Sequence, residues 1–345
     1  MWKKYKSIDN WYNKKKTDLV KDIVNENMEW IALEKIDGSN ASIFITDNDI
    51  QIASRNNLLT EENMFDYMYM FKTTYSEELV LLFNHLVERF SPIYYDTIEA
   101  VTVYGEVFGG IYTHPNIRKE QYAKKIQGRV QYCPQNKFRI FDIALTIKNK
   151  DIIKTQYLNY SELMCACNIF GLPYVCPLFV GSFEECMNYD VNFQTTIPTL
   201  YNLPEIENNF AEGVIIRPMV EHTFYNGNRI IFKKKSEKFN EKKQRQYIKP
   251  AIEYEPHIID LMERVSQYIT ENRINNIISH FGTVLKKDFG KVLKTFNLDV
   301  FEAFEDEEDV ILSSYTKEDQ KIIRKYVNTE CSLLMRAEFF KHTED

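Results

Sequence analysis

Short apolar runs separated by turn residues mark the chain between residues 29 and 53. The β-branched and aromatic residues there are interrupted by Asp37-Gly38-Ser39-Asn40 and by Asp47-Asn48-Asp49, which are both typical turn sequences. This pattern predicts a strand, a turn, a strand, a turn and a strand. Lys35 would then lie at the end of the first strand, directly before a turn.

Apolar positions at helical spacing follow between residues 61 and 90 and predict a helix that packs on the next sheet; they are Leu79, Leu82, Phe83, Leu86, Val87 and Phe90. Strand-like runs then return in four segments, 100–108, 138–147, 213–217 and 229–234, with a helix predicted at about 157–170. Because the strands do not alternate regularly with crossover helices, this order predicts an α+β fold of mainly antiparallel sheets with flanking helices.

The character of the sequence changes after about residue 235. The densest basic stretch of the chain lies there and consists of Lys233, Lys234, Lys235, Lys238, Lys242, Lys243, Arg245 and Lys249. Beyond it, apolar residues keep a helical period over three segments, 258–278, 284–296 and 322–340. We therefore predict a first domain of residues 1–245 and a small all-helical domain of residues 246–345.

Composition and charge exclude several classes of protein. The 345 residues are 44% hydrophobic and 27% charged, as in an ordinary soluble globular protein. A net charge of -7 argues against a generally basic nucleic-acid coat, although a local basic face remains open. The six cysteines include no Cys-x-x-Cys pair, which argues against a zinc site. With no signal peptide, no apolar membrane span and no coiled-coil heptads, we expect a cytoplasmic or otherwise intracellular protein without membrane contact, and a monomer.

The segment Lys35-Ile36-Asp37-Gly38 is the strongest candidate for chemistry. A lysine two residues before Asp-Gly, at the end of an apolar run, suits covalent nucleotidyl transfer with Lys35 as the nucleophile. This short pattern also arises by chance, so it needs the support of other segments of the chain. Five further segments occur in an order that makes sense with Lys35; they are 54–55 (SR), 103–109 (VYGEVFG), 138–143 (FRIFDI), 212–217 (EGVIIR) and 231–235 (IFKKK).

The physical requirements of that chemistry point to specific side chains. A lysine amine attacks phosphorus only when it is unprotonated, and nearby cations and burial favour that form. Lys233 and Lys235, on one face of a strand, are expected to assist Lys35 and to neutralise an α-phosphate, whereas Lys234 should point the other way. Phosphoryl-type transfer needs alignment and charge stabilisation, for which Glu106 and Glu212 are the expected carboxylate ligands of a divalent metal ion.

In these segments the chain resembles the covalent nucleotidyltransferase superfamily of ATP-dependent ligases and mRNA capping enzymes. Within it, the chain is most similar to the RNA ligase 2 family, which includes phage nick-sealing ligases and the kinetoplastid RNA-editing ligases. The likeness spans nearly the whole chain, including the start, the basic stretch and the helical C-terminal third. One departure is Asp37, because some phage members have histidine at that position.

The resemblance implies a role for each matching residue. Lys35 would carry AMP covalently, Glu34 would help to fix the adenine, and Phe141 would stack on it. Arg55 and Glu106 would hold the ribose and orient the adenylate, and Arg55 would also lie near the RNA 5′-phosphate. Asn40 would assist the later steps, Glu212 would engage the catalytic Mg²⁺, and Lys233 and Lys235 would contact the α-phosphate. The implied cofactors are ATP and Mg²⁺ or Mn²⁺, and the implied partner is RNA, in particular a nicked duplex.

Three alternatives stay open at this point. A capping guanylyltransferase shares Lys-x-Asp-Gly but normally continues into an OB-fold domain with a further basic motif, whereas the last third of this chain has a helical pattern. A DNA ligase is disfavoured because the last third of the chain also lacks this basic motif, Arg-x-Asp-Lys. A catalytically silent RNA-binding homologue is disfavoured because a lysine or carboxylate is intact in every segment that should carry one. Arg273, Asn275 and Asn276 are weaker candidates for contacting RNA.

Overall fold

The computed structural model describes residues 2–23, 28–60, 66–94, 97–150, 152–240, 254–281, 284–308 and 310–339. Its strands are β1 (Asp9–Asn10), β2 (Trp30–Lys35), β3 (Ser39–Ile45), β4 (Ile50–Ser54), β5 (Thr97–Ile111), β6 (Cys133–Asn149), β7 (Ile152–Tyr157), β8 (Pro177–Gly181), β9 (Gly213–Pro218) and β10 (Phe232–Lys235). Its α-helices are α1 (Lys14–Lys21), α2 (Asp66–Thr74), α3 (Ser76–Tyr94), α4 (Tyr160–Ile169), α5 (Phe183–Asn188), α6 (Pro256–Ser266), α7 (Glu271–Phe281), α8 (Phe289–Glu308) and α9 (Lys317–Phe339).

The strands form two five-stranded sheets. The first sheet has the order β1-β10-β9-β2-β8 and is antiparallel except for the parallel pair of β1 and β10. The second sheet has the order β4-β3-β5-β6-β7 and is antiparallel throughout. Helix α3 packs on β3 and β5 of the second sheet, and α5 packs on β2, β8 and β9 of the first. The predicted α+β fold of antiparallel sheets with flanking helices is confirmed.

The chain divides into two compact units, Met1–Ser236 and Glu237–Asp345. The second unit is all-helical within its described residues, as predicted, and its core is built from one face each of α6, α7, α8 and α9. The predicted boundary between residues 245 and 246 lies outside the described residues, as does the basic stretch beyond residue 240. Among the described helices, none has the length and apolar character needed to cross a membrane.

The structure differs from the predicted elements in several places. The helical pattern of residues 61–90 corresponds to two helices, α2 and α3, which meet at Tyr75, and residues 61–65 lie outside the described part. Strands β7 and β8 were not predicted, because neither shows the clear alternation of a half-buried strand. Strand β10 begins at Phe232, so residues 229–231 precede it.

Candidate active site

Lys35 lies where three strands of the first sheet end together. It is the last residue of β2 and pairs with Gly213 of β9, which in turn pairs with Lys235 of β10. Gly213 has a φ of +152°, and a Cβ atom there would lie 2.1 Å from the carbonyl oxygen of Lys234. Only glycine therefore permits this approach of β9 and β10. The Glu212-Gly213 dipeptide thus places a carboxylate beside both lysines.

The carboxylate of Glu212 bridges these two lysines. Its Oε2 lies 2.7 Å from Nζ of Lys35 and its Oε1 lies 2.8 Å from Nζ of Lys235. The Glu212 side chain is only 2% exposed, whereas that of Lys35 is 21% exposed. Burial alone would raise the pKa of Glu212, but Lys235 and Lys35, together with Arg129, outweigh that effect and lower it to about 2. The nucleophile candidate is therefore reachable from solvent and is held against an ionised carboxylate.

The other lysines of β10 follow the alternation of the strand. Lys234 points away from Glu212 and donates hydrogen bonds to the carbonyl oxygens of Met187 and Tyr189, at 2.8 and 3.0 Å. Lys233 is half-buried and by alternation shares the side of β10 on which Lys235 lies. The predicted opposite orientation of Lys234 is confirmed.

The second sheet contributes Glu106, Asn40 and Arg55. Asn40 of β3 is directly opposite Glu106 of β5, and Glu106 is directly opposite Arg139 of β6, so these side chains share one face. The pKa of Glu106 is raised to about 8, chiefly because its carboxyl group is removed from water. Lys35 and Arg55 oppose the rise, and Glu212 adds to it. The Cγ atom of Glu106 would lie 2.9 Å from a Cβ atom at Gly38, so Glu106 lies beside the turn that follows Lys35.

Glu34 is held by a different part of the unit. Its carboxylate accepts a hydrogen bond from the Thr195 hydroxyl, and from the backbone N–H and hydroxyl of Thr196 at 2.8 and 2.6 Å. Burial raises the pKa of Glu34, and these donors work in the opposite direction. The donors orient the carboxylate as a fixed acceptor.

Phe141 lies against the N-terminal segment. Its ring makes an edge-on contact with the ring of Tyr5, with centroids 5.0 Å apart. The Tyr5 hydroxyl donates a hydrogen bond of 2.7 Å to Asp142, the residue after Phe141. The described contacts bring Phe141 to Tyr5 and not to Lys35, so its role as the adenine stacker stays a prediction.

A buried ionic network that the sequence analysis missed joins the two sheets beside Phe141. Asp142 of β6 pairs with Arg217 of β9 at 3.2 Å and with Arg229 at 2.6 Å. Both arginines also pair with Glu221, which completes the network. Burial would raise the pKa of Asp142, but the two arginines outweigh it and lower that pKa. Asp142 and Arg217 lie inside two of the ordered segments, 138–143 and 212–217, and these positions are the feature of the sequence that could have identified them.

Arg273 was a weaker candidate for contacting RNA, and the structure argues against that role. Its side chain is 4% exposed, and its Nη1 lies 2.6 Å from Asp299. A buried arginine with a carboxylate partner serves the packing of α7 against α8.

The donor atoms of the site fit a divalent cation that also binds phosphate. Among the described residues, no three His, Cys, Asp or Glu side chains form a group that could hold a metal ion by themselves. Mg²⁺ is usually bound through one or two carboxylates together with substrate phosphates. Glu106 and Glu212 provide two carboxyl groups in this site, and a bound cation would favour the ionised form of Glu106, which matches that requirement.

Comparison with protein families decides the kinship of the chain. Residues 28–235 match the model of the RNA ligase family, and residues 254–333 match the model described as T4 RNA ligase 2 C-terminal. The first match alone covers more than half of the chain.

The chain belongs to the RNA ligase family. Among curated relatives in the family, the mitochondrial RNA-editing ligase 1 of Trypanosoma brucei brucei is 28% identical over an alignment 214 positions long, which covers 55% of this chain and 44% of that protein. The mitochondrial RNA-editing ligase 2 of the same organism is 27% identical over an alignment 241 positions long, which covers 63% of this chain and 55% of that protein. The chain thus spans about half the length of the curated relatives it matches.

A solved structure of an RNA ligase from Naegleria gruberi, a variant with ATP and Mn, is also similar to this chain. It is 16% identical, with a TM-score of 0.43, over 69% of this chain and 56% of that one. The predicted kinship with RNA ligases is confirmed by the family match alone.

Proposed function

We propose that this protein is an ATP-dependent RNA ligase that joins RNA 3′-OH and 5′-phosphate ends, in particular at nicks in duplex RNA, through a covalent lysyl-AMP intermediate. The observation that carries the proposal is the contact of Lys35 with Glu212 and of Glu212 with Lys235. A partly exposed lysine beside a second lysine and two carboxylates is suited to attack a phosphate that arrives with a divalent cation. The membership of the chain in the RNA ligase family supports the same reaction.

The first step requires Lys35 to pass its proton to solvent, which its partly exposed side chain can reach, and to leave Glu212. Its amine then attacks the α-phosphorus of ATP, an N–P bond forms, and the bond to pyrophosphate breaks with pyrophosphate leaving. Lys235 and Lys233 would neutralise charge on the α-phosphate. Mg²⁺ or Mn²⁺, held by Glu212 and Glu106, would supply further charge neutralisation and orientation.

Two further transfers complete the reaction. A 5′-phosphate oxygen of the RNA displaces Lys35 from the adenylate, and the 3′-OH then attacks the 5′-phosphorus and releases AMP. Arg55 is assigned to the adenylate and the 5′-phosphate, and Asn40 to these later transfers. Glu34, held by Thr195 and Thr196, is assigned to the adenine together with Phe141.

Covalent labelling tests the proposal. The purified protein is mixed with Mg²⁺ and ATP labelled on the α-phosphate, with GTP labelled in the same way in parallel, and the denatured chain is examined for retained label. We expect label from ATP only, and none with Lys35→Ala. The matched control is Lys234→Ala, which removes the neighbouring lysine that points away from Glu212 and should retain labelling.

Each other outcome has a distinct meaning. Label from GTP would indicate a capping-type guanylyltransferase, and label on Lys35→Ala would refute the nucleophile. No label on folded protein that is free of prior adenylate would indicate a silent RNA-binding homologue. A second assay compares sealing of a nick in duplex RNA, a nick in duplex DNA and single-stranded RNA ends; equal or better sealing of DNA would refute the RNA assignment.

A further inference from the structure

The turn after Lys35 carries a buried carboxylate. Asp37 is 3% exposed, and its charge lies near those of Glu212 and Lys35. Burying a carboxylate is unfavourable unless a cation and hydrogen bonds compensate for the lost contact with water. The position matters because Asp37 is only two residues from the proposed nucleophile, in the turn that directly follows Lys35.

Arg129 supplies the compensating cation from a distant part of the chain. Its Nη2 lies 2.5 Å from Oδ1 of Asp37, and its Nε donates to Oδ2 at 3.2 Å. Two parallel donors on the two oxygens of one carboxylate fix its orientation as well as its charge. Arg129 is 22% exposed, and its charge also lowers the pKa of Glu212. The guanidinium therefore lies at the edge of the candidate active site.

The neighbours of Arg129 contact the same turn. The Tyr132 hydroxyl accepts a hydrogen bond of 2.7 Å from the backbone N–H of Asp37, and Gln127 donates one of 3.4 Å to the carbonyl oxygen of Gly38. Gly38 itself fits closely, because a Cβ atom there would lie 2.1 Å from the carbonyl oxygen of Val107. The segment 127–132 thus bonds the side chain and the backbone of the turn at three points.

The segment 127–132 is also bonded to the chain that leads into Glu212. The backbone N–H of Gln131 donates to Oδ1 of Asn209 at 2.9 Å, and Nδ2 of Asn209 donates to the carbonyl oxygen of Gln131 at 2.6 Å. Asn209 precedes Glu212 by three residues. Both the turn after Lys35 and the approach to its carboxylate partner are therefore positioned by this one segment.

We propose that Arg129, through its two-point contact with Asp37, is a positioning residue that holds Lys35 in line for attack on the α-phosphate; this rests on the proposed role of Lys35. Arg129 takes no part in bond making. Its effect should be confined to the step in which Lys35 is the nucleophile. The sealing of RNA that already carries 5′-AMP does not use the Lys35 amine as a nucleophile, so that step should depend on Arg129 far less.

The test compares these two steps in Arg129→Gln, Arg129→Lys, Asp37→Asn and the double variant of Asp37→Asn with Arg129→Gln. The matched control is Arg118→Gln, which removes an exposed arginine from the same stretch between β5 and β6. For each protein, the rate of lysine labelling is measured in a single turnover over a range of ATP concentrations. Sealing of a pre-adenylated nick and the unfolding temperature are measured in parallel.

We expect Arg129→Gln to slow labelling at saturating ATP by about tenfold or more, with a much smaller change in the half-saturating ATP concentration. Sealing of the pre-adenylated nick should stay within about threefold of wild type. Arg129→Lys keeps the charge but loses the second contact, so its labelling rate should lie between those of wild type and Arg129→Gln. The double variant should recover part of the labelling rate, because it no longer leaves a buried carboxylate unpaired.

Several outcomes would overturn the inference. One is labelling by Arg129→Gln at the wild-type rate. Another is an equal loss of labelling and of pre-adenylated sealing together with a lower unfolding temperature, because that pattern indicates a structural role alone. If Arg129→Gln does not fold, the same comparison of labelling and pre-adenylated sealing is made with Arg129→Lys and the double variant. Wild-type protein without any label would instead refute the proposed function, and the positioning role with it.

Discussion

Replacing Glu212 by glutamine should destabilise the protein by an amount that can be worked out from the electrostatics of the site. The change keeps the shape of the side chain but removes the charge that Lys35 and Lys235 share. The pKa of Glu212 is lowered from an ordinary 4.5 to about 2. At about 1.4 kcal/mol per pH unit, this favours the ionised form by about 3 kcal/mol. Because the side chain is almost fully buried, little of this energy is lost to solvent screening.

The sign of the pH dependence is set by the lowered pKa. A carboxyl group whose pKa is lower in the folded state stabilises the fold above its unfolded pKa, and this contribution is lost as pH falls toward the folded value. The free energy of unfolding of wild type should therefore exceed that of Glu212→Gln by about 3 kcal/mol at pH 7 and by about 1.4 kcal/mol at pH 3. The variant itself should lose covalent labelling.

Urea unfolding at a series of pH values between 7 and 3 measures this difference. The control is Glu207→Gln, which changes an exposed glutamate five residues earlier and should shift stability by less than about 0.5 kcal/mol. A Glu212→Gln variant as stable as wild type at pH 7 would refute the reasoning. So would a stability difference that does not shrink as the pH is lowered, because the carboxylate charge would then not be what the two lysines stabilise.

Three further predictions concern the surroundings of the site. Gly213→Ala should lower the free energy of unfolding by more than about 2 kcal/mol and abolish labelling, because its Cβ would displace β10. The control Gly171→Ala, at a φ of +65° with open space around it, should cost only about 1 kcal/mol, and similar unfolding free energies for the two variants would contradict this prediction. Asp142→Asn should cost about 3 kcal/mol in urea unfolding, since it removes one of the two carboxylates that the two buried arginines share, and a cost below about 1 kcal/mol would rule out that account. Thr196→Val removes one donor to Glu34 and should raise the half-saturating ATP concentration for labelling, while a fall in the maximum rate alone would count against a nucleotide-binding role.

The sequence predicts the elements whose pattern is local. Strands β2, β3 and β4 are predictable because apolar runs and turn residues alternate over residues 29–53, and the helices of the second unit because their apolar faces repeat regularly. Strands β7 and β8 escape prediction because they lie at the outer edges of the two sheets, where one face of a strand is not consistently buried. The pairing of β1 with β10 has no local signal at all.

The candidate site likewise has residues that local sequence patterns predict and residues that they do not. The ordered segments single out Lys35, Glu106, Glu212 and Lys235, and in the structure Glu212 contacts both lysines. Arg129 could not be found in this way, because it contacts Asp37 across 92 residues of sequence and lies in no segment that stands out. Its importance comes from the burial of Asp37, and burial at a single position cannot be read from a linear pattern.

The Lys35–Glu212 contact joins residues that are 177 positions apart in the chain, and Lys235 is further along still. While the protein is being synthesised, Lys35 emerges early but has neither of these partners until β9 and β10 have followed it. Contacts of such long sequence separation form late in folding because a long loop must first be closed. Lys35, the proposed nucleophile, therefore acquires these partners only when the first unit is complete, so a nascent or truncated chain carries the lysine without Glu212 and Lys235 beside it.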